Sequence, residues 1–246
     1  MNATTTPTTP TTTLTLTGAQ WCALASHVAT ERMNYAIEYT AIFPPTDKSR
    51  EWIPTMKGRD GVIDAAGVVV ATDGKRALYL PTDLAPSVVS LAALPKVTKS
   101  KCALSDRFPG ATLPDGTDGR YFPPALDVIP AKGTGVEVPT DSLRAIFAPF
   151  ATDPDNDTVR CWFGLGIRCA SRSTVTDTSV DASWGTAPSD EADPIGLGAR
   201  YVLDVCDAAD LLGVALVTVQ AKDHRSAVCF DLCGKGLAIV MPRVLG

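Results

Sequence analysis

Apolar positions along the chain recur in two periods that take turns. Trp21, Leu24, Ala25 and Val28 stand at i, i+3, i+4 and i+7, which predicts a helix running to about Arg32. Thr17-Gly18-Ala19-Gln20 starts it as a capping box, the Thr17 hydroxyl and Gln20 amide satisfying free helix N–H groups. Ahead of it, Leu14 and Leu16 alternate with threonine as a short strand does. Tyr35 to Phe43, Gly61 to Ala65, Val68 to Thr72 and Ala77 to Leu80 read as strands, and a weaker helix spans Asp83 to Leu94. Residues 95–120 show little period and much Lys, Asp, Gly and Pro, so loops with one or two short strands are expected near a domain junction. Pro123, Pro124 and Pro130 mark an extended connector.

The second half repeats this outline. Gly135 to Val138 is strand-like, and Thr140 or Asp141 can cap a helix whose Leu143, Ile146, Phe147 and Phe150 again stand at i, i+3, i+4 and i+7. Thr158 to Phe163, Gly166 to Ala170 and Ser173 to Trp184 alternate like strands, and Gly185 to Pro194 is an acidic loop. Arg200 to Leu212 is a helix that buries Val202, Val205, Cys206 and Ala209. Strands at Val214 to Gln220, Ala227 to Leu232 and Leu237 to Met241 follow. The layout predicts two related α+β modules, residues 14–120 and 121–246, each a mostly antiparallel sheet with helices on one face, the first with an abbreviated second half.

Composition narrows the function classes. The 246 residues carry 22 Lys+Arg against 27 Asp+Glu, a net charge of −5, which argues against holding nucleic acid by bulk positive charge. No apolar run approaches the ~20 residues of a membrane-spanning helix. The Thr/Pro-rich residues 1–13 cannot bury a core and are expected to be disordered. Seven cysteines at scattered spacing predict reduced, mostly buried thiols in a cytoplasmic protein, and the N-terminus lacks a signal-peptide pattern.

Candidate chemistry is thin. His27 lies on the first helix and His224 in a polar turn, neither in a motif with a nucleophile. Asp153 to Asp157 starts like a calcium loop, but Thr158 stands where Gly is required and Gly164 where the closing Glu belongs. Gly164-Leu165-Gly166 starts like a phosphate loop and runs into a strand, and Cys229 and Cys233 lack zinc-ligand spacing. No catalytic residue, metal or cofactor is expected.

The specific signals lie elsewhere. Val70-Ala71-Thr72-Asp73-Gly74-Lys75-Arg76-Ala77-Leu78 resembles the A-T-D-G-H-R-L signature of the bacterial sliding clamp, the β subunit of DNA polymerase III. Asp118 to Pro123 with Val128-Ile129-Pro130 resembles that family's connector into its last domain, and Tyr201 to Val205 its second helix there. Ile239 to Leu245 is similar to the clamp's C-terminal V-V-M-P-x-R-L. The resemblance is clearest over residues 60–80 and 118–246.

That resemblance implies a non-enzymatic processivity factor, with sheets outside and helices lining a concave inner face. A bacterial clamp chain has three modules and two chains close the ring. This chain has room for two, so three chains, a homotrimer, would supply six. Four modules would leave too small a hole for a duplex ~20 Å across. The implied partners are double-stranded DNA, a replicative DNA polymerase and a clamp loader. Candidate DNA-facing cations are Arg32, Lys96, Lys99, Lys101, Arg144 and Arg200. The implied peptide pocket takes Thr72, Gly74, Lys75, Arg76 and Ala77 from the first module and Pro123 and Val128 from the connector. Ile239, Val240, Met241, Pro242, Arg243 and Val244 complete it, with Arg76 and Arg243 holding polar groups of the peptide. Lys75 replaces the usual His, Ala77 the usual Leu, and Asp127 a frequent basic residue. The alternative is a clamp-derived adaptor or competitor that binds the same peptides without encircling DNA.

Overall fold

In a computed structural model, the described residues are 16–28, 40–53, 67–82, 90–92, 125–152, 157–172, 179–186 and 193–245. The strands are β1 (Thr40–Phe43), β2 (Gly67–Thr72), β3 (Arg76–Thr82), β4 (Ser90–Ala92), β5 (Val136–Pro139) and β6 (Thr158–Phe163). They continue as β7 (Gly166–Arg172), β8 (Ser179–Gly185), β9 (Ile195–Gly198), β10 (Leu216–Gln220), β11 (Val228–Asp231) and β12 (Leu237–Val240). The α-helices are α1 (Gly18–Ala25), α2 (Asp47–Trp52), α3 (Thr140–Phe147) and α4 (Ala199–Leu211).

Two antiparallel sheets result. One has the order β4-β1-β2-β3-β12-β11-β10-β5 and the other β8-β7-β6-β9. The larger joins the two halves of the chain, because β3 pairs with β12 through Leu78↔Ala238 and Ala77↔Ile239. A repeating unit generates both sheets. β5 leads into α3 and the meander β6-β7-β8, while β9 leads into α4 and the meander β10-β11-β12. Each leading strand pairs in the other unit's sheet, β5 beside β10 and β9 beside β6. The meander β1-β2-β3 follows α1, and β4 pairs with β1 as β9 does with β6.

Burial explains why these strands read as apolar runs. The large sheet is covered on both faces, so every residue of β2 is buried. Val69, Ala71, Leu78, Leu80 and Val240 join the larger core, together with α1, α3, α4 and the inner face of the smaller sheet. Val68, Val70, Ala77, Tyr79 and Ile239 face a second core, closed by Trp52, Ile53, Ala125, Leu126 and Ile129. The connector is strapped over that face. Tyr79 Oη donates to Ala125 O at 2.7 Å, and Trp52 Nε1 donates to Pro130 O at 2.8 Å. Lys132 Nζ reaches Asp231 at 2.7 Å.

Several expectations change. The capping box at Thr17 forms, but α1 ends at Ala25 and buries consecutive residues Trp21 to Leu24, with Ala25 exposed. The Ser26 hydroxyl donates to Ala23 O at 2.8 Å and the His27 ring meets the same carbonyl at 3.0 Å, turning the chain. Leu16 is buried but not in a strand. Within the expected helix 83–94, Ser90–Ala92 is a strand, since pairing with the open side of β1 outweighs helix propensity. Neither Thr140 nor Asp141 caps α3; the Thr140 hydroxyl donates to Val214 O at 2.8 Å instead. Cys22 is disulfide-bonded, whereas Cys161, Cys169, Cys206, Cys229 and Cys233 are free. α2 and β9 carry no periodic signal in the sequence: α2 has no apolar stripe, and β9 contains two glycines. Strands expected at Leu14, 35–39, 61–65 and 173–178, and the short strands of 95–120, lie outside the described residues.

Candidate functional site

The turn from β2 to β3 is built by the residues of its motif. Asp73 Oδ1 accepts from the backbone N–H of Lys75 at 2.9 Å and of Arg76 at 3.0 Å. The Thr72 hydroxyl donates to Arg76 O at 2.6 Å and accepts from Gly74 N–H at 3.0 Å. Gly74 has φ +84°, a left-handed conformation that a side chain disfavours. The Lys75 side chain is exposed, and its carbonyl accepts from Met241 N–H at 2.8 Å, docking the C-terminal segment beside the turn.

Two depressions lie along this junction. The smaller, about 160 Å³, is bounded by Thr72, Gly74, Arg76 and Ala77 from the turn, Val128 from the connector, and Ile239 and Met241. Sequence reading missed Tyr79 and Ala125 in its wall. Tyr79 carried a signal, since it follows Ala77 by the two-residue strand period. Its buried phenol is pushed up in pKa by desolvation. The larger depression, about 630 Å³, shares Met241 and is bounded by Pro242, Arg243, Val244, Asp193, His224 and Arg225. Val240 points into the larger core and lines neither, and Pro123 lies outside the described residues. Val244 is 96% exposed, so its side chain is open to a partner.

The two arginines are engaged within the protein. Arg76 Nε donates to Asp73 Oδ2 at 3.1 Å and its Nη1 pairs with Asp204. Arg243 Nη1 pairs with Asp157 and donates to Thr158 Oγ1 at 3.0 Å. Both guanidinium groups lie over the Tyr201 ring, at 4.8 and 4.9 Å from its centroid. They brace β3, α4 and the C-terminal segment against one another, which leaves the smaller depression largely apolar. His27 is fully buried, and burial followed by the Arg76 charge lowers its pKa to about 3, so it is neutral.

Of the DNA-facing candidates, Arg144 on α3 bonds Asp207 at 2.8 Å and Asp210 at 2.5 Å on α4. Arg200 is exposed and donates Nε–H to Ala151 O at 3.2 Å. Arg32, Lys96, Lys99 and Lys101 lie outside the described residues. Together α3 and α4 carry two arginines and four aspartates.

No protein-family model matches the sequence, and no curated protein matches it. Solved structures do. A DNA polymerase sliding clamp from Pseudomonas aeruginosa, solved with a ligand, superposes with a TM-score of 0.66 over 99% of this chain. The chain has the bacterial sliding-clamp fold. Identity to that clamp is 16%, and 69% of its length is covered. The Helicobacter pylori β clamp bound to a DNA ligase peptide gives 0.64 at 14% identity, covering 98% of this chain and 68% of that one. A clamp from Bartonella birtlesii bound to griselimycin gives 0.66 at 15%, covering 99% and 68%. Within this clamp fold, the junction of β3 and β12 brings together seven of the residues singled out in the sequence as a pocket. Among the described residues no helix is long and apolar enough to cross a membrane.

Proposed function

We propose that the chain is a two-module sliding clamp, residues 14–120 and 121–246, that acts as a cytoplasmic, non-enzymatic processivity factor. Three copies close around duplex DNA, and a clamp loader and a replicative polymerase dock through short peptide segments. The observation that carries this reading is the apolar depression at the β3–β12 junction of a clamp fold, walled by Thr72, Ala77, Val128, Ile239 and Met241. A peptide places one apolar side chain there and runs past Met241 along Pro242 and Val244. Lys75, Arg76 and Arg243 shape this path, the last two by holding its walls. The Helicobacter pylori clamp, bound to a DNA ligase peptide, supports the partner class.

The repeating unit supports ring closure. β8 is the third strand of its meander, as β3 and β12 are of theirs, and those two pair with each other. Among the described residues β8 pairs only with β7, so its outer edge is the matching place for another copy. Native mass spectrometry tests assembly, and the expected mass is that of three chains. A monomer at micromolar concentration would overturn the ring.

The pairing of Arg144 with Asp207 and Asp210, which engages a DNA-facing candidate within the protein, favours the second reading, an adaptor that binds clamp-interacting peptides without encircling DNA. Lys96, Lys99, Lys101, Arg32 and Arg200 would then be ordinary surface charges. Reversing the charge of Lys96, Lys99 and Lys101 separates the two. Polymerase stimulation falls for a ring, and is absent or unchanged for an adaptor.

A further inference from the structure

Cys161 on β6 and Cys169 on β7 are direct partners in the antiparallel register, and their sulfurs stand 3.3 Å apart. Both thiols are free and fully buried on the inner face of the smaller sheet. Cys161 also borders a cavity of about 300 Å³, beside Trp162, Asp193, Lys222 and His224. That volume holds several water-sized molecules, each needing about 30 Å³. Directly opposed residues of antiparallel strands have Cα atoms about 4.5–5.5 Å apart, within the span a disulfide requires.

We propose that Cys161 and Cys169 form a redox modification site, a dithiol that a peroxide entering the adjoining cavity closes into a disulfide across β6 and β7. The inference stands on this pair alone and is independent of the ring or adaptor reading. The Cys161 sulfur attacks the peroxide. An S–O bond forms, the O–O bond breaks, and the departing oxygen leaves as water with the thiol proton. The Cys169 sulfur then attacks the sulfenic sulfur. An S–S bond forms, the S–O bond breaks, and a second water leaves with the Cys169 proton. Two thiols are oxidised by two electrons and one peroxide is reduced to two waters. Burial pushes the Cys161 thiol up, so the step is slow and calls for prolonged exposure.

The test treats the full chain with hydrogen peroxide, then unfolds it with an alkylating agent and digests it with trypsin. Cleavage after Arg160 and Arg168 separates residues 161–168 from 169–172. The expected product is these two peptides joined, lighter by two hydrogens than their sum and split by a dithiol reductant. The thermal unfolding temperature of the peroxide-treated chain rises above that of the untreated chain, the Cys22 disulfide being common to both; the rise is absent in Cys161→Ser. The exposed Cys233 is the internal control for active peroxide. Recovery of both thiols alkylated after Cys233 has been oxidised would overturn the proposal, as would either sulfur joined to a different cysteine.

Discussion

At the residue scale, polar side chains buried near the junction set measurable quantities. His27 is neutral in the folded chain, with a pKa of about 3 against an ordinary 6.5. The unfolded chain therefore binds a proton that the folded chain refuses between these values. This contribution favours folding fully above pH 6.5 and is lost as pH falls from 6.5 toward 3, at up to about 1.4 kcal/mol per pH unit. Urea unfolding at pH 7.5 and pH 5 is expected to show this loss, and His27→Leu to remove most of it. An equal loss in the variant would place the proton elsewhere. Gly74 makes a second case. A Cβ there meets nothing, yet φ +84° strains any other residue, so Gly74→Ala is expected to cost about 1 kcal/mol through the backbone alone. Gly74→Asn, which tolerates this region better, should recover part of that cost in the same denaturant assay.

At the scale of elements, short pieces hold the site by close approach. β9 is glycine-bearing because the C-terminal segment lies against it. Arg243 N–H donates to Gly196 O at 2.8 Å, and a Cβ on Gly198 would stand 2.7 Å from Arg243 Nη2 and 2.9 Å from the Tyr201 ring. Gly198→Ala is therefore expected to displace Arg243, to lower stability by about 1–3 kcal/mol and to weaken peptide binding. Calorimetric titration with a clamp-binding peptide checks the second part; unchanged affinity would detach the C-terminal segment from the site. At α1, Thr17→Ala removes a cap whose hydroxyl accepts from Gln20 N–H at 3.3 Å. About 1 kcal/mol of stability should go with it. The helices themselves were legible where an apolar stripe had to face a core, as at Leu143, Ile146 and Phe147. α2 buries a single apolar residue, Trp52, after the Thr46–Ser49 box, and β4 is decided by its neighbour β1, so neither left a periodic signal.

At the scale of the whole molecule, a sheet of eight strands spans both halves of the chain, and the candidate pocket sits on its central seam. The pocket therefore depends on docking the two halves. In the ring reading, retention on DNA is topological: the protein should stay on circular duplexes through a salt wash that strips a binder held by phosphate contacts, and should leave once the circle is linearised. Gel filtration of the loaded DNA before and after cutting reads this directly. Loss at the same salt concentration from circles and linear DNA would favour the non-encircling adaptor.

Taken alone, the order of residues determined what local chemistry can dictate. It determined the apolar runs that bury β2 and β3, the stripes of α3 and α4, and the Thr72–Asp73–Gly74 turn, whose bonds close within five residues. Tertiary structure alone decided which charges remain available. Arg76 and Arg243 look from sequence like anchors for a ligand, yet Asp204 and Asp157, 128 and 86 residues away, hold them inward. Arg144 is likewise bound by Asp207 and Asp210. Pattern along the chain reports periodicity and burial, because those follow from backbone geometry; the pairing of charges follows from which surfaces meet.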